Sequence, residues 1–190
     1  ATNILFLTTA QYDNQVSMKK RICGIQQMGI GVPNVEEAWS WYRRNFGVDV
    51  RIFEEAAEAP LMIDYTGGKV HSRTATLALS MDGGGGFENW QFTSRATAKA
   101  SFALQQGDFG LIAFIIKSRD VNASHANMLK NGVTSLSEVS QTPDKKDHFF
   151  VTGPNGNIFE VIESTDWFSH TKHPSNCGGC LLYTSDAADE

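Results

Sequence analysis

Two glutamates stand on short runs that are otherwise apolar or aromatic: Glu160 in GPNGNIFEVIES, Gly153 to Ser164, and Glu88 in FENWQF, Phe87 to Phe92. The Pro-Asn-Gly turn before Ile158 marks entry into a hairpin strand. Alternation then puts Ile158, Glu160 and Ile162 on one face and Phe159 and Val161 on the other. A carboxylate among apolar neighbours must be solvated, hydrogen-bonded, ion-paired or bound to a cation. The same parity groups Glu88 with Trp90 and Phe92. His148 lies on the strand before the Glu160 hairpin, where it could act as a ligand or as a base near neutral pH.

These residues depend on elements that occur twice. IQQMGIGV, Ile25 to Val32, reads as a strand with Gln27, Gly29 and Gly31 on one face. Pro33 ends it, Asn34 caps a helix with Glu36 and Glu37 in its first turn, and Val35, Ala38, Trp39, Tyr42 and Phe46 form an apolar stripe up to Gly47. A strand over Val48 to Phe53, an irregular acidic segment over Glu54 to Pro60, a strand over Met62 to Tyr65 and an alternating strand over Ser72 to Ser80 follow. The Met81 to Gly86 turn leads into FENWQF; its four glycines lack the GK[ST] of a phosphate loop. After a small, polar stretch the pattern restarts: LIAFIIKS is a strand, Asp120 caps a helix ending at Asn131-Gly132, Val133 to Val139 and HFFVT are strands, and NIFEVIES closes the unit. Asn34 thus corresponds to Asp120, Gly47 to Gly132 and Glu88 to Glu160.

Composition excludes several classes. The 190 residues are 41% hydrophobic and 11% aromatic, enough for a packed core. All 16 Lys and Arg lie between Met18 and Gly179 with 17 acids, a net charge of −1 in that span, and they form no basic stripe for nucleic acid. No apolar run approaches the roughly 20 residues of a membrane span. Cys23 and Cys177 make no metal or disulfide framework, so the expected compartment is the cytoplasm. Residues 180–190, CLLYTSDAADE, resemble a translated sequencing adapter and are read as a non-native scar, with the natural chain expected to continue past Gly179. Residues 1–21 are read as a disordered leader, with Met18 the expected start. The modules are expected at 22–95 and 109–165, joined by a linker at 96–108 and followed by a tail at 166–179.

Two tandem βαβββ units, with GIGVPNVEEAWSWYRRNFG opening the first and GPNGNIFEVIES closing the second, resemble the vicinal oxygen chelate superfamily of glyoxalases, extradiol dioxygenases and bleomycin-resistance proteins. The resemblance implies an α+β fold in which two modules pair into a cup-shaped mixed sheet with helices outside. It also implies a divalent metal held by the first and last strands of each module. Position by position, the ligands fall on Gln27, Glu88 and Glu160, and the fourth falls on Leu111 or Ala113, which cannot bind a metal. Two glutamates and a glutamine carbonyl suit Mg or Mn, and less tightly Zn, Fe, Co or Ni. A redox iron centre with two histidines and one carboxylate is not supported.

With a metal, the resemblance implies electrophilic chemistry on a small oxygenated substrate, of lyase, isomerase or dioxygenase type, with Glu160 as proton shuttle. A second expectation is a metal-free binding module lined by Trp90, Phe92, His148 and Phe150. A third is the non-catalytic half of a longer four-module protein. Expected partners are a small molecule and either a second copy of the chain or downstream modules, with no nucleic acid and no membrane.

Overall fold

The computed structural model describes residues 3–6, 25–98, 101–103, 113–165, 168–170 and 172–181. Met18, Cys23, residues 104–108, Leu111 and residues 182–190 lie outside them. The described elements are β1 (Asn3–Phe6), β2 (Gln27–Gly31), α1 (Val35–Phe46), β3 (Val50–Glu58), β4 (Ser72–Leu79), β5 (Gly86–Phe92), β6 (Ala113–Ser118), α2 (Val121–Lys130), β7 (Ser140–Gln141), β8 (Asp147–Thr152), β9 (Ile158–Glu163) and β10 (Cys177–Leu181).

Both helices start where the sequence places their caps. The Asn34 carboxamide oxygen accepts from the backbone N–H groups of Glu36 and Glu37, and the Asp120 carboxylate from that of Ala123. Gly47 ends α1 in the left-handed conformation, φ 68°, where a side chain would also strike the His173 ring. The expected stripe of Val35, Ala38, Trp39, Tyr42 and Phe46 is buried throughout.

The class is α+β, with two mixed, open sheets. Their strand orders are β1-β2-β5-β4-β3 and β10-β6-β9-β8-β7. Within each module the first strand runs parallel to the last, which pairs antiparallel with the strand before it. Segments read as lying outside the modules add an edge strand to each sheet: β1 pairs with β2 and β10 with β6, both antiparallel.

Three local expectations are corrected. The acidic segment after Phe53 is not irregular, because β4 supplies a continuous ladder as far as Ser72↔Glu58 and the outward glutamates meet Arg51 and Arg73. Met62 to Tyr65 is no strand. Pro60 opens a 3-10 turn over Pro60–Tyr65, and the Thr66 hydroxyl donates to carbonyls in and after it. Val133 to Val139 runs beside β8 without forming a strand, making one bridge, Leu136↔Val151. Serine hydroxyls take over ladder bonds there: Ser137 Oγ accepts from Phe150 N, and Ser135 Oγ donates to Thr152 O.

One aromatic core joins the two modules. Phe159 of β9 lies 5.0 Å from Phe46, 5.7 Å from Tyr42, 5.8 Å from Phe87 and 5.5 Å from Phe114, measured between ring centroids. Phe87 and Phe159 lie on the helix-bearing faces of their sheets, so these faces share the core. Within one chain the two modules thus meet through these faces. Among the described residues no helix is long and apolar enough to cross a membrane.

Asn89, beside Glu88, enters the same core. It is fully buried, and neither its carboxamide nitrogen nor its oxygen has a hydrogen-bond partner, while Val161 occupies the matching place in β9. Burying unpaired amide atoms costs stability that an apolar group of similar size does not. Asn89→Val should raise the unfolding free energy by about 1–3 kcal/mol, seen in urea titration as a higher midpoint at unchanged slope.

Candidate functional site

Strand parity places Glu88 and Glu160 opposite the core-facing Phe87 and Phe159, each on a sheet face turned away from the shared core. Each carboxylate there has a partner from a neighbouring strand. In the first module Gln27 Nε2 donates to Glu88 Oε2 at 2.6 Å. The pair is possible because β2 runs parallel to β5 in the register Gly29↔Glu88, which sets Gln27 one same-face position away. In the second module His148 Nδ1 lies 2.6 Å from Glu160 Oε1, reaching diagonally from β8, where His148 faces Ile162 and Phe150 faces Glu160.

The register also resolves the fourth position. Ile115↔Glu160 in β6 corresponds to Gly29↔Glu88, so the counterpart of Gln27 is Ala113, with no donor atom. His148 reaches the same glutamate from the opposite side, on β8.

Trp90 and Phe92 share the Glu88 face, with ring centroids 5.6 Å apart. Trp90 does more than line the surface, because its indole also favours the ionised form of the neighbouring Glu88 carboxyl. Arg73 was missed by the sequence reading. Its guanidinium lies 5.3 Å from the Trp90 centroid, donates to the Glu55 carbonyl at 3.1 Å and adds positive charge near Glu88. The signal was available: Arg73, Ala75 and Leu77 alternate along β4, and the hairpin register Leu77↔Glu88 puts Arg73 on this face. Phe150 is exposed, 5.4 Å from the His148 ring.

Glu88 is buried, and desolvation raises its carboxyl above the ordinary range against the opposing pull of Arg73, Trp90 and Gln27. Everything acting on it comes from its own module. Among the described residues no three His, Cys, Asp or Glu side chains converge as a metal centre. The donors nevertheless suit one in two halves: a buried carboxylate lacking full compensation, an amide whose oxygen stays available when its nitrogen serves Glu88, and a carboxylate with an imidazole. Oxygen donors with one nitrogen fit small divalent ions.

A family model described as the Glyoxalase/Bleomycin resistance protein/Dioxygenase superfamily matches residues 24–161. The chain belongs to this superfamily. Among solved structures it is similar to a glyoxalase family protein from Bacillus cereus, with 16% identity over 81% of this chain and 98% of that one and a TM-score of 0.61. It is also similar to a glyoxylase/bleomycin resistance protein/dioxygenase domain from Frankia sp. EAN1pec, with 9% identity, 76% and 99% coverage and a TM-score of 0.57. The V278E mutant of glyoxalase I from Zea mays shares 16% identity over 75% of this chain and 45% of that one, at a TM-score of 0.51. Comparison with curated protein sequences gave no match. At these identities the structural likeness speaks to the fold, which is that of the superfamily.

The Glu88 environment has a pH signature. A carboxyl raised in the folded state binds its proton more tightly there than in the unfolded chain. Stability is therefore highest below the ordinary glutamate range and falls as pH rises through the raised value. Glu88→Gln should remove this downward component in metal-free protein. Urea midpoints measured from pH 4 to 7 should decline less in the variant than in the unsubstituted chain.

Proposed function

We propose that the chain is a divalent-metal-dependent enzyme of the glyoxalase type, catalysing proton transfer in a lyase or isomerase reaction on a small molecule with adjacent oxygens. The observation that supports this most is the pair of half-sites, Gln27 with Glu88 and His148 with Glu160, each on an outward sheet face at matching strand register. Two copies placed with the first module of one against the second module of the other would bring these halves together twice, each centre having Gln27, Glu88, His148 and Glu160 as donors. A bound divalent ion would supply electrophilic stabilisation of the oxyanion that develops on the substrate.

The chain's own groups carry the rest. Gln27 Nε2 holds the Glu88 carboxylate in place. His148 Nδ1 engages Glu160 Oε1 and leaves Oε2 to take a proton from the carbon beside the carbonyl and return it to the neighbouring carbon. A single histidine beside two carboxylates favours this over dioxygen chemistry, which draws on a two-histidine, one-carboxylate iron site. A cytoplasmic location accords with the free, buried Cys177 thiol.

A second reading is favoured by one observation: each carboxylate already has a partner within the chain, so the faces could bind a small aromatic ligand on Trp90, Phe92 and Phe150 without metal. Elemental analysis and light scattering separate the two. The proposal expects a dimer with about one tightly held divalent ion per chain, and Glu160→Ala should lose most of the ion and lower the rate on the order of 100-fold or more. A metal-free monomer that binds aromatic ligands equally well with and without added divalent ions would establish the second reading instead.

A further inference from the structure

The outward face of the first module continues well past Glu88. Along β5 the same-face residues are Glu88, Trp90 and Phe92, so the face extends roughly 13 Å from the carboxylate at four residues' strand rise. Its far end is cationic. The Arg95 guanidinium lies 5.3 Å from the Phe92 ring centroid, and Arg95 has no ion-pair or hydrogen-bond partner among the described residues. His71 packs edge-on against the same ring at 6.0 Å and engages Ser94 Oγ through Nδ1, which leaves Nε2 available. Arg73, one strand over, is different: its guanidinium is already held by the Glu55 carbonyl and lies 3.5 Å from the Glu55 carboxylate. The face thus separates a carboxylate end at Glu88 from a free cationic end at Arg95, with two aromatic rings between them.

We propose that this face takes an elongated ligand with an anionic group, a carboxylate, sulfonate or phosphate, at the end away from Glu88, and that Arg95 is the residue selecting for that charge. This rests on the outward face being the binding surface and deepens the functional reading by naming the substrate class. The physical case is that a guanidinium steadied over an aromatic ring keeps its N–H fork directed at solvent, ready for a planar or tetrahedral oxyanion. Apolar contact with Trp90 and Phe92 would hold the middle of such a molecule.

The test compares two fluorescent probes that share one ring system, 8-anilinonaphthalene-1-sulfonate and the uncharged N-phenyl-1-naphthylamine, titrated into metal-free protein. The sulfonate should bind about tenfold or more tighter, in line with a charge-assisted hydrogen bond, and its affinity should fall as salt rises. Arg95→Gln should erase that preference, and Arg95→Lys should restore part of it. Arg44→Gln, in the last turn of α1, the helix that packs on the opposite side of this sheet, should leave it intact. Equal affinity for the two probes, or a preference that survives Arg95→Gln, would overturn the proposal. Because neither metal nor turnover enters the measurement, a failure to bind metal would count against the enzyme reading alone.

Discussion

The structure depends on where Phe159 goes. Its ring meets aromatic groups from α1, β5 and β6 and is fully buried. Because a strand alternates its side chains, burying Phe159 commits Glu160 to the opposite face, just as burying Phe87 commits Glu88. A one-residue slip in either strand would drive a carboxylate into the aromatic core, so the core and the outward faces are specified together. The same contact sets the two carboxylates apart from the shared core: the faces that bind the modules to each other are the faces that do not bear them.

A second set of contacts fixes the modules against each other. Asp82, in the turn between β4 and β5, pairs with Arg119 from the second module and accepts from Ser169 Oγ at 3.2 Å. Arg119 also donates to the Ser169 carbonyl at 2.7 Å and stacks on Phe168. Asp82 is buried, so this pair is costly to break from either side. Gly83 and Gly178 pack so closely that a Cβ on either would lie 2.5 Å from the other's backbone. The glycine-rich turn, which lacks the lysine of a phosphate loop, serves as a backbone contact between β10 and the first module.

Much of the fold was legible because its signals are local. Asn34, Asp120 and Gly47 announce helix ends by side-chain chemistry that acts within a few residues, and NIFEVIE and FENWQF show their parity directly. The errors fall where neighbours decide. Glu54 to Glu58 has no strand composition and becomes a strand only because β4 offers partners, whereas Val133 to Val139 has the composition but keeps only part of a ladder with β8, serine hydroxyls taking the other bonds. The Gln27–Glu88 pair was within reach because both members stand on recognisable strands. Arg73 required the hairpin register, and the outward orientation of both carboxylates required knowing that Phe87 meets Phe159 across 72 positions of sequence.

The two outward carboxylates satisfy one requirement, a hydrogen-bonded partner, from opposite sides of their strands. In the first module the glutamate's partner comes from the parallel first strand, and it is an amide, which holds position but neither gains nor loses a proton. In the second, Ala113 stands at that place and offers only a methyl group, so the partner comes from the antiparallel side as His148. Glu88 is buried and held by the Gln27 amide, while Glu160 is half-buried and partnered by the His148 imidazole. On the proposed reading, two copies would bring together one carboxylate held by an amide and one held by an imidazole, an asymmetry that suits a proton-transfer reaction.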